Sequence, residues 1–211
     1  MARTVNAYAT YATGFKSVGL NLNGVPTDAN DQPVLAAATV KPEDVRHVEV
    51  GLKTEPLPGV TANFTLYNTG IKDFQAQVVN AGVGVLRGYL ANAEKVRVRG
   101  VEFDGSARVN RRVSVYGNAA YTDGRYISFR DAPPPLEETG GPLFKDVSGS
   151  VLPGISKAAV SVGGEFVQPA NLFSQRGEFF TALDTSYRSS FSSSASASRY
   201  LVVDGYSLVN R

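Results

Sequence analysis

The sequence predicts an all-β chain: an antiparallel, up-and-down transmembrane β-barrel fragment of about eight long strands, with short periplasmic turns and long extracellular loops. Three observations predict it. Long stretches alternate with period 2 between apolar and polar residues, the mark of a strand with two different faces. The connections between these stretches alternate between short and long, the layout of an outer-membrane barrel. No apolar run approaches the roughly 18 residues of a membrane helix, a test that a barrel passes unnoticed because every second residue is polar.

The alternation is clearest over Lys95–Phe129. Two runs, KVRVRGVEFDGSARV and VSVYGNAAYTDGRYISF, meet at the polar turn Asn110-Arg111-Arg112. The first places Val101, Phe103, Gly105, Ala107 and Val109 on one face and Gly100, Glu102, Asp104, Ser106 and Arg108 on the other. The second places Val113, Val115, Gly117, Ala119 and Tyr121 opposite Ser114, Tyr116, Asn118 and Thr122. One face is apolar and modest in bulk, the other polar and charged, as in a wall with lipid outside and water inside.

The remaining elements follow in order. The first strand is about Thr4–Phe15, then a Gly/Asn/Asp/Pro segment, Lys16–Pro42, reads as a surface loop. The second strand, about Glu43–Glu55, sets Val48, Val50 and Leu52 against His47, Glu49, Gly51, Lys53 and Glu55; Pro56–Gly59 then turns the chain. The third strand is about Val60–Val79, and Gly-rich Asn80–Asn92 reads as a loop before the hairpin already described. After a Pro/Glu/Gly loop, Arg130–Ser150, the sixth strand is about Ile155–Gln168, a turn spans Pro169–Arg176, and the seventh strand is about Gly177–Phe191. A Ser-rich loop, Ser192–Ser198, leads to the eighth, about Tyr200–Arg211, whose parity the sequence leaves open. An open strand edge does not survive in lipid. Eight strands suffice for a small closed barrel, but strands this long and a loop of more than 20 residues point to a slice of a larger one.

Composition narrows the functional classes. Lys and Arg number 21 against 19 Asp and Glu, so nothing argues for nucleic acid. There is no cysteine, which excludes disulfides, thiolate metal sites and a cysteine nucleophile. The N-terminal MARTVNAYATYATGF lacks the apolar core of a signal peptide and already alternates as a strand does. There is no phosphate loop, no Gly-x-Ser-x-Gly and no His-Glu-x-x-His, and GVGVLRG lacks the strand-to-helix setting of a nucleotide fingerprint. No catalytic, cofactor or metal residue is therefore assigned, no cofactor is expected, the chain reads as a non-enzyme, and its ligand-binding residues are unassigned.

His47 is the single histidine, and with Glu49 alone on its face it reads as a solvated wall or rim residue. Glu49, Lys53, Glu55, Glu102 and Asp104 read as a lattice of mutually compensating ion pairs on a wet wall, with plug contact as the functional alternative. Lys95, Arg97 and Arg99 share the apolar parity near the long-loop end. There they either meet lipopolysaccharide phosphates or extend the strand into solvent. Loop DAPPPLEETGGPLF, Asp131–Phe144, is a candidate for ligand contact or a plain linker, and SSFSSSASAS, Ser189–Ser198, reads as a mobile low-complexity segment.

Five segments resemble, in order, motifs of TonB-dependent outer-membrane receptors. YATYATGFKSVGLN, Tyr8–Asn21, resembles their Tyr-x-x-Tyr-x-x-Gly-Phe-Lys-Ser-Gly strand end, and KPEDVRHVEVGLKTE, Lys41–Glu55, their Pro-Glu-x-x-x-x-x-Glu-x-Gly-x-Lys strand. Gly100, Val101 and Glu102 match the Gly-Val-Glu strand, LPGISKAAVSVGGEF, Leu152–Phe166, the Leu-Pro-x-x-Pro-Lys start of a late strand, and GYSLVNR, Gly205–Arg211, the Tyr-x-Leu-x-Asn-x-Arg strand. Val18 stands where Gly is usual and Ser156 where the second Pro is usual.

The resemblance implies that residues 1–211 are the C-terminal third of a plugged barrel of about 22 strands, with the plug, the TonB box and the last strands outside them. It implies TonB-dependent uptake of a scarce nutrient (an iron–siderophore, cobalamin or an oligosaccharide) across the outer membrane of a Gram-negative bacterium. The implied partners are outer-membrane lipid and lipopolysaccharide, the nutrient ligand, and the TonB–ExbB–ExbD complex acting through the plug. Two other readings stand beside it: a small self-contained outer-membrane barrel acting as a passive pore or adhesin, and a soluble all-β binding module.

Overall fold

A computed structural model describes residues 4–211 apart from 23, 29, 31, 83, 84, 139 and 174. Its eight main strands are β1 (Thr4–Lys16), β2 (Glu43–Leu57), β3 (Val60–Gly82), β4 (Val85–Arg108), β5 (Val113–Ser128), β6 (Ala158–Leu172), β7 (Gln175–Arg188) and β8 (Tyr206–Asn210). They form one antiparallel sheet in chain order, each hydrogen-bonded to the next. β1 and β8 are the two edges, and the sheet is not closed between them.

Register carries the two faces across the whole sheet. Val50, Leu66, Val101 and Tyr121 lie in one row, and Leu52, Phe64, Phe103, Ala119 and Val160 in the next. The Phe64 and Phe103 rings meet at 4.9 Å between centroids. This face is uncovered: Leu66 is 56% exposed, Phe64 48% and Val50 44%. A soluble sheet would bury such rows against a second layer; among the described residues no second layer covers these. The eighth strand, ambiguous in sequence, resolves by its pairing, with Val209 opposite Thr185 on this outer face and Leu208 opposite Ser186 on the inner one.

All the turns at one end are tight. Pro58-Gly59 links β2 to β3, with Gly59 at φ +75, and residues 109–112 link β4 to β5, where the Asn110 side-chain oxygen accepts from the backbone N–H of Arg112 and Val113. At the other end the chain makes long excursions between β1 and β2, β5 and β6, and β7 and β8. Tight turns and three long connections thus lie at opposite ends as predicted, but the fourth connection predicted to be long, Asn80–Asn92, is not.

Several boundaries differ from the sequence reading. Asn80–Asn92 is not a loop: the β3–β4 ladder runs on through Gln75↔Asn92 and Val78↔Tyr89 to Gly82↔Val85, and residues 83 and 84 lie outside the described residues. Glycine weakens a strand without forbidding it, and the long register of this hairpin outweighs the local composition. Pro169–Arg176 is likewise mostly ladder, from Pro169↔Glu178 to Leu172↔Gln175. β5 stops pairing with β6 at Phe166, so Pro169 sits where its strand has a partner on one side only, a place that tolerates a missing donor. Pro56 falls within β2 at a register irregularity between Thr54 and Leu57. β7 ends at Arg188, and Phe191–Ser192 pairs separately with Val202–Val203, leaving Tyr206–Asn210 as the eighth strand.

The buried apolar cluster sits at the long-loop end of the inner face. Val78, Tyr89, Ala93, Val96, Tyr126 and Phe129 from β3–β5 pack with Ala132, Val147, Leu152 and Ala195 from the loops. Ala93 and Val96 both point into it because the strands change face between them. Asp73 adopts φ +54 on β3, and the β4–β5 register shifts between Lys95 and Val96. Above this wrinkle the β3–β4 hairpin turns its apolar side to the loops.

Candidate functional site

The inner wall is a hydrogen-bonded lattice built on one repeated device. Tyr8 lies directly opposite Gly51, Tyr67 opposite Gly100 and Tyr116 opposite Gly163. Each ring lies over its glycine: a Cβ on Gly51 would meet the Tyr8 ring at 2.5 Å, one on Gly100 the Tyr67 hydroxyl at 2.6 Å and one on Gly163 the Tyr116 ring at 2.5 Å. Each hydroxyl then reaches one strand further. Tyr8 meets Thr65 at 3.2 Å, Tyr67 meets Thr122 at 2.9 Å and Tyr116 donates to Asp184. Each tyrosine thus ties together three strands, with the bare glycine making the crossing possible.

The charged residues predicted for this face are on it, but hydrogen bonds hold them more than ion pairs do. The Tyr8 hydroxyl donates to Glu49 at 2.7 Å, and the Lys53 ammonium lies over the Tyr8 ring, 5.5 Å from its centroid. Asn63 donates to Asp104 at 2.8 Å. His47 is bonded to Thr69 at 2.8 Å and meets Glu49 at 3.4 Å, a wall residue within the lattice. Glu55 stands opposite Thr4 near the short-turn end, and Glu102 between Thr65 and Ala120. The expected lattice of compensating ion pairs is corrected accordingly: among the described residues His47 and Glu49, 3.4 Å apart, are its one pair within ion-pair distance, and Tyr8 and Asn63 stand against the carboxylates of Glu49 and Asp104 where lysine or arginine was expected.

At the other end the long loops fold inward over the wall. The first is stapled to the β3–β4 hairpin by side chains that imitate a strand. The Asn21 amide donates to the Leu90 carbonyl at 2.9 Å while its oxygen accepts from the Leu90 N–H at 2.7 Å. Gln75 donates to the carbonyls of Ser17 and Lys41, and Asn92 donates to Lys41 and Asp73. Asp131–Phe144 is no plain linker, since Ala132, Pro133 and Pro135 are buried. Nor is the serine-rich segment loose: Ser194, Ser196 and Ser198 are buried and bonded, and Ala195 joins the apolar cluster. The Tyr126 hydroxyl within that cluster has no hydrogen-bond partner among the described residues.

Glu137 latches these two loops together. Its carboxylate accepts from the Ser198 hydroxyl at 2.9 and 3.0 Å and from the Arg199 backbone N–H at 3.0 Å. Lost hydration works against its charge. Donation from its own backbone, from Ser198 and from the Arg199 N–H, together with the Arg199 charge, outweighs that loss and holds its pKa below the ordinary 4.5. A carboxyl with a lowered folded value stabilises above its unfolded pKa and loses that contribution as pH falls through the folded one. The bonds to the Glu137 carboxylate thus contribute in full at neutral pH and are lost in acid, as pH falls through the lowered folded value. Spin labels on Leu143→Cys and Tyr200→Cys, both exposed positions in a chain without cysteine, should separate as pH falls. With Glu137→Gln the separation should lose its pH dependence; a pH response that survives this substitution would refute the assignment.

The sequence reading gave no role to the three tyrosines or to the anchors Asn21, Gln75 and Asn92. The tyrosine–glycine pairs left one signal: Gly51, Gly100 and Gly163 all fall at inner-face parity, where a side chain would otherwise be expected.

A family model described as TonB dependent receptor-like, beta-barrel, matches residues 2–210. Among solved structures, the chain is similar to the ferric yersiniabactin uptake receptor FyuA from Yersinia pestis, with TM-score 0.65 and 19% identity over 97% of this chain and 26% of that one. It is similar to the copper transporter OprC, with TM-score 0.69 and 13% identity over 97% and 28% of the two chains. It is also similar to BauA, the ferric preacinetobactin receptor from Acinetobacter baumannii, with TM-score 0.62 and 17% identity over 97% and 26%. The chain therefore spans about a quarter of the length of these structures. No curated protein matches it in sequence.

Proposed function

Because the chain belongs to the TonB-dependent receptor-like β-barrel family, we propose that residues 1–211 are part of the barrel wall of an outer-membrane receptor that takes up a scarce nutrient in a Gram-negative bacterium. The observation that carries this reading is the division of one sheet into an uncovered apolar face and a hydrogen-bonded polar face, with the long loops folded over the polar face at one end. A barrel divided in this way conducts or admits a polar solute along its inside while lipid wets its outside. The open edges at β1 and β8 need further strands to close in lipid, which favours a part of a larger barrel over a small self-contained pore or adhesin. The uncovered apolar rows disfavour a soluble binding module.

Iron–siderophore complexes are the favoured cargo among the candidates, since ferric-siderophore receptors recur among the similar structures. Cobalamin, oligosaccharides and, from the copper transporter, metal ions are the alternatives. The wall supplies no covalent chemistry in this reading: it holds a plug and guides the nutrient, while the TonB–ExbB–ExbD complex acts on the plug and outer-membrane lipid and lipopolysaccharide surround the barrel. The test is uptake by cells that lack their other iron receptors and express the full-length protein. Accumulation of ferric siderophore that is abolished on deletion of TonB is the expected result. Accumulation that persists without TonB would favour a passive pore, and none with any siderophore would remove iron–siderophore from the candidates.

A further inference from the structure

His47 and Glu49 stand two residues apart on β2, so both side chains project from the inner face, where both are half-buried. The imidazole is held from behind. Its Nδ1 bonds to the Thr69 hydroxyl at 2.8 Å, and its ring stacks beside that of Tyr67, 6.5 Å between centroids. The carboxylate is held as well: Oε1 accepts from the Tyr8 hydroxyl at 2.7 Å, and that hydroxyl meets Thr65 at 3.2 Å. The atoms left over, Nε2 of His47 and Oε2 of Glu49, face each other 3.4 Å apart. In the tautomer that donates Nδ1–H to Thr69, both present lone pairs, and a positive charge belongs between them.

The separation distinguishes which charge that is. A second ring proton would draw the pair together into a charge-assisted bond of about 2.7–2.9 Å. Two ligands of one tetrahedral metal ion, with metal–nitrogen about 2.0–2.1 Å and metal–oxygen about 2.0–2.2 Å, lie about 3.4 Å apart. Thr69 and Tyr8 then stand where the outer partners of metal ligands stand, orienting the ring and the carboxylate. The charge around the pair also favours a cation. Glu102, opposite Thr65 on β4, makes no hydrogen bond or ion pair among the described residues, and Lys53 lies over the Tyr8 ring, 5.5 Å from its centroid, rather than on a carboxylate.

We propose that His47 and Glu49 bind a divalent transition-metal ion of the zinc type on the inner wall, through Nε2 and Oε2, with the other positions left to water or to a chelator that carries the ion. An imidazole ligand favours such ions over Mg2+ and Ca2+. A closed structural zinc site uses four protein ligands; a site with two leaves room for exchange. The site needs only that this face be reached by water, and it does not depend on which nutrient the barrel admits.

The test is equilibrium dialysis of the purified full-length protein in detergent against Zn2+, with bound metal counted by elemental analysis. The unaltered protein is expected to bind one Zn2+ more than His47→Gln does. Thr69→Val, which removes neither ligand atom, should weaken that ion about 10–100-fold, the usual effect of losing an outer partner. X-ray absorption at the zinc edge should show one imidazole nitrogen fewer in His47→Gln. No Zn2+ on the unaltered protein, which needs no variant to fold, overturns the proposal. So does equal Zn2+ on the unaltered protein and on His47→Gln. Mg2+ held as tightly as Zn2+ would mark a diffuse attraction to carboxylates and overturn it too. Each of these failures leaves the barrel-wall reading, which uptake tests, untouched.

Discussion

Val101→Arg or Val115→Arg is expected to destabilise the membrane-inserted protein by up to about 2–4 kcal/mol, the cost of a charged side chain on the lipid face of a barrel near mid-bilayer. Both positions lie on the outer face, Val101 opposite Leu66 and Tyr121, Val115 opposite Ala107 and Gly164, and both are exposed, at 40% and 41%. Ser114→Arg, one residue from Val115 and on the inner face between Arg108 and Glu165, should cost much less, since its charge enters a polar wall where the Glu165 carboxylate offsets Arg108 and no hydrocarbon surrounds it. Denaturant unfolding of the full-length protein in lipid vesicles measures the three changes. Equal losses at the two parities would overturn the assignment of inside and outside. A loss confined to Ser114→Arg would invert it.

Gly100→Ala is expected to be the more damaging of two glycine substitutions that look alike in sequence. The three atoms nearest a Cβ at Gly51 all belong to the Tyr8 ring and its hydroxyl, at 2.5–2.6 Å, the far end of a side chain that can swing away. A Cβ at Gly100 would meet the Tyr67 hydroxyl at 2.6 Å and also the backbone carbonyl of Tyr121 at 2.4 Å, which belongs to the neighbouring strand and cannot move alone. Gly51→Ala should thus cost about 1–3 kcal/mol, the usual range for overpacking, and Tyr8→Ala in the same chain should recover part of it. Gly100→Ala should cost at least as much and should not be recovered by Tyr67→Ala. Coupling energies from the two double-mutant cycles decide the matter. Recovery at Gly100, or none at Gly51, would show that the rings over the glycines do not govern these positions.

How much of this was legible beforehand depended on the range of the interaction. Val101 and Glu102 declare their faces by neighbouring residues alone, because side-chain direction in a strand reverses at each step. The tight turns at Pro58-Gly59 and Asn110–Arg112 were legible for the same reason: their backbone needs are local. Asn80–Asn92 was misread because its glycines and alanines carry little strand preference of their own. What makes them a strand is a partner aligned from Val60↔Ala107 through to Gly82↔Val85. The serine-rich segment was misread as mobile because its order depends on distant contacts, such as the bond from Ser198 to Glu137, about sixty residues away in the chain, and the packing of Ala195 in the apolar cluster.

The sequence alone therefore determined most of the strands, their two faces, the tight turns at one end and three of the four long connections at the other, since period-2 alternation and turn chemistry act between neighbours. Register was left to the tertiary structure, and with it everything that depends on which residue stands across from which. That includes the tyrosines seated on Gly51, Gly100 and Gly163, the hydrogen-bonded lattice found in place of ion pairs, and the loop latch at Glu137. It also includes the stacking of like charges, Lys95 on Lys72 and Arg97 on Arg125. A pairing between strands is a relation between distant segments, and no pattern within either segment fixes it.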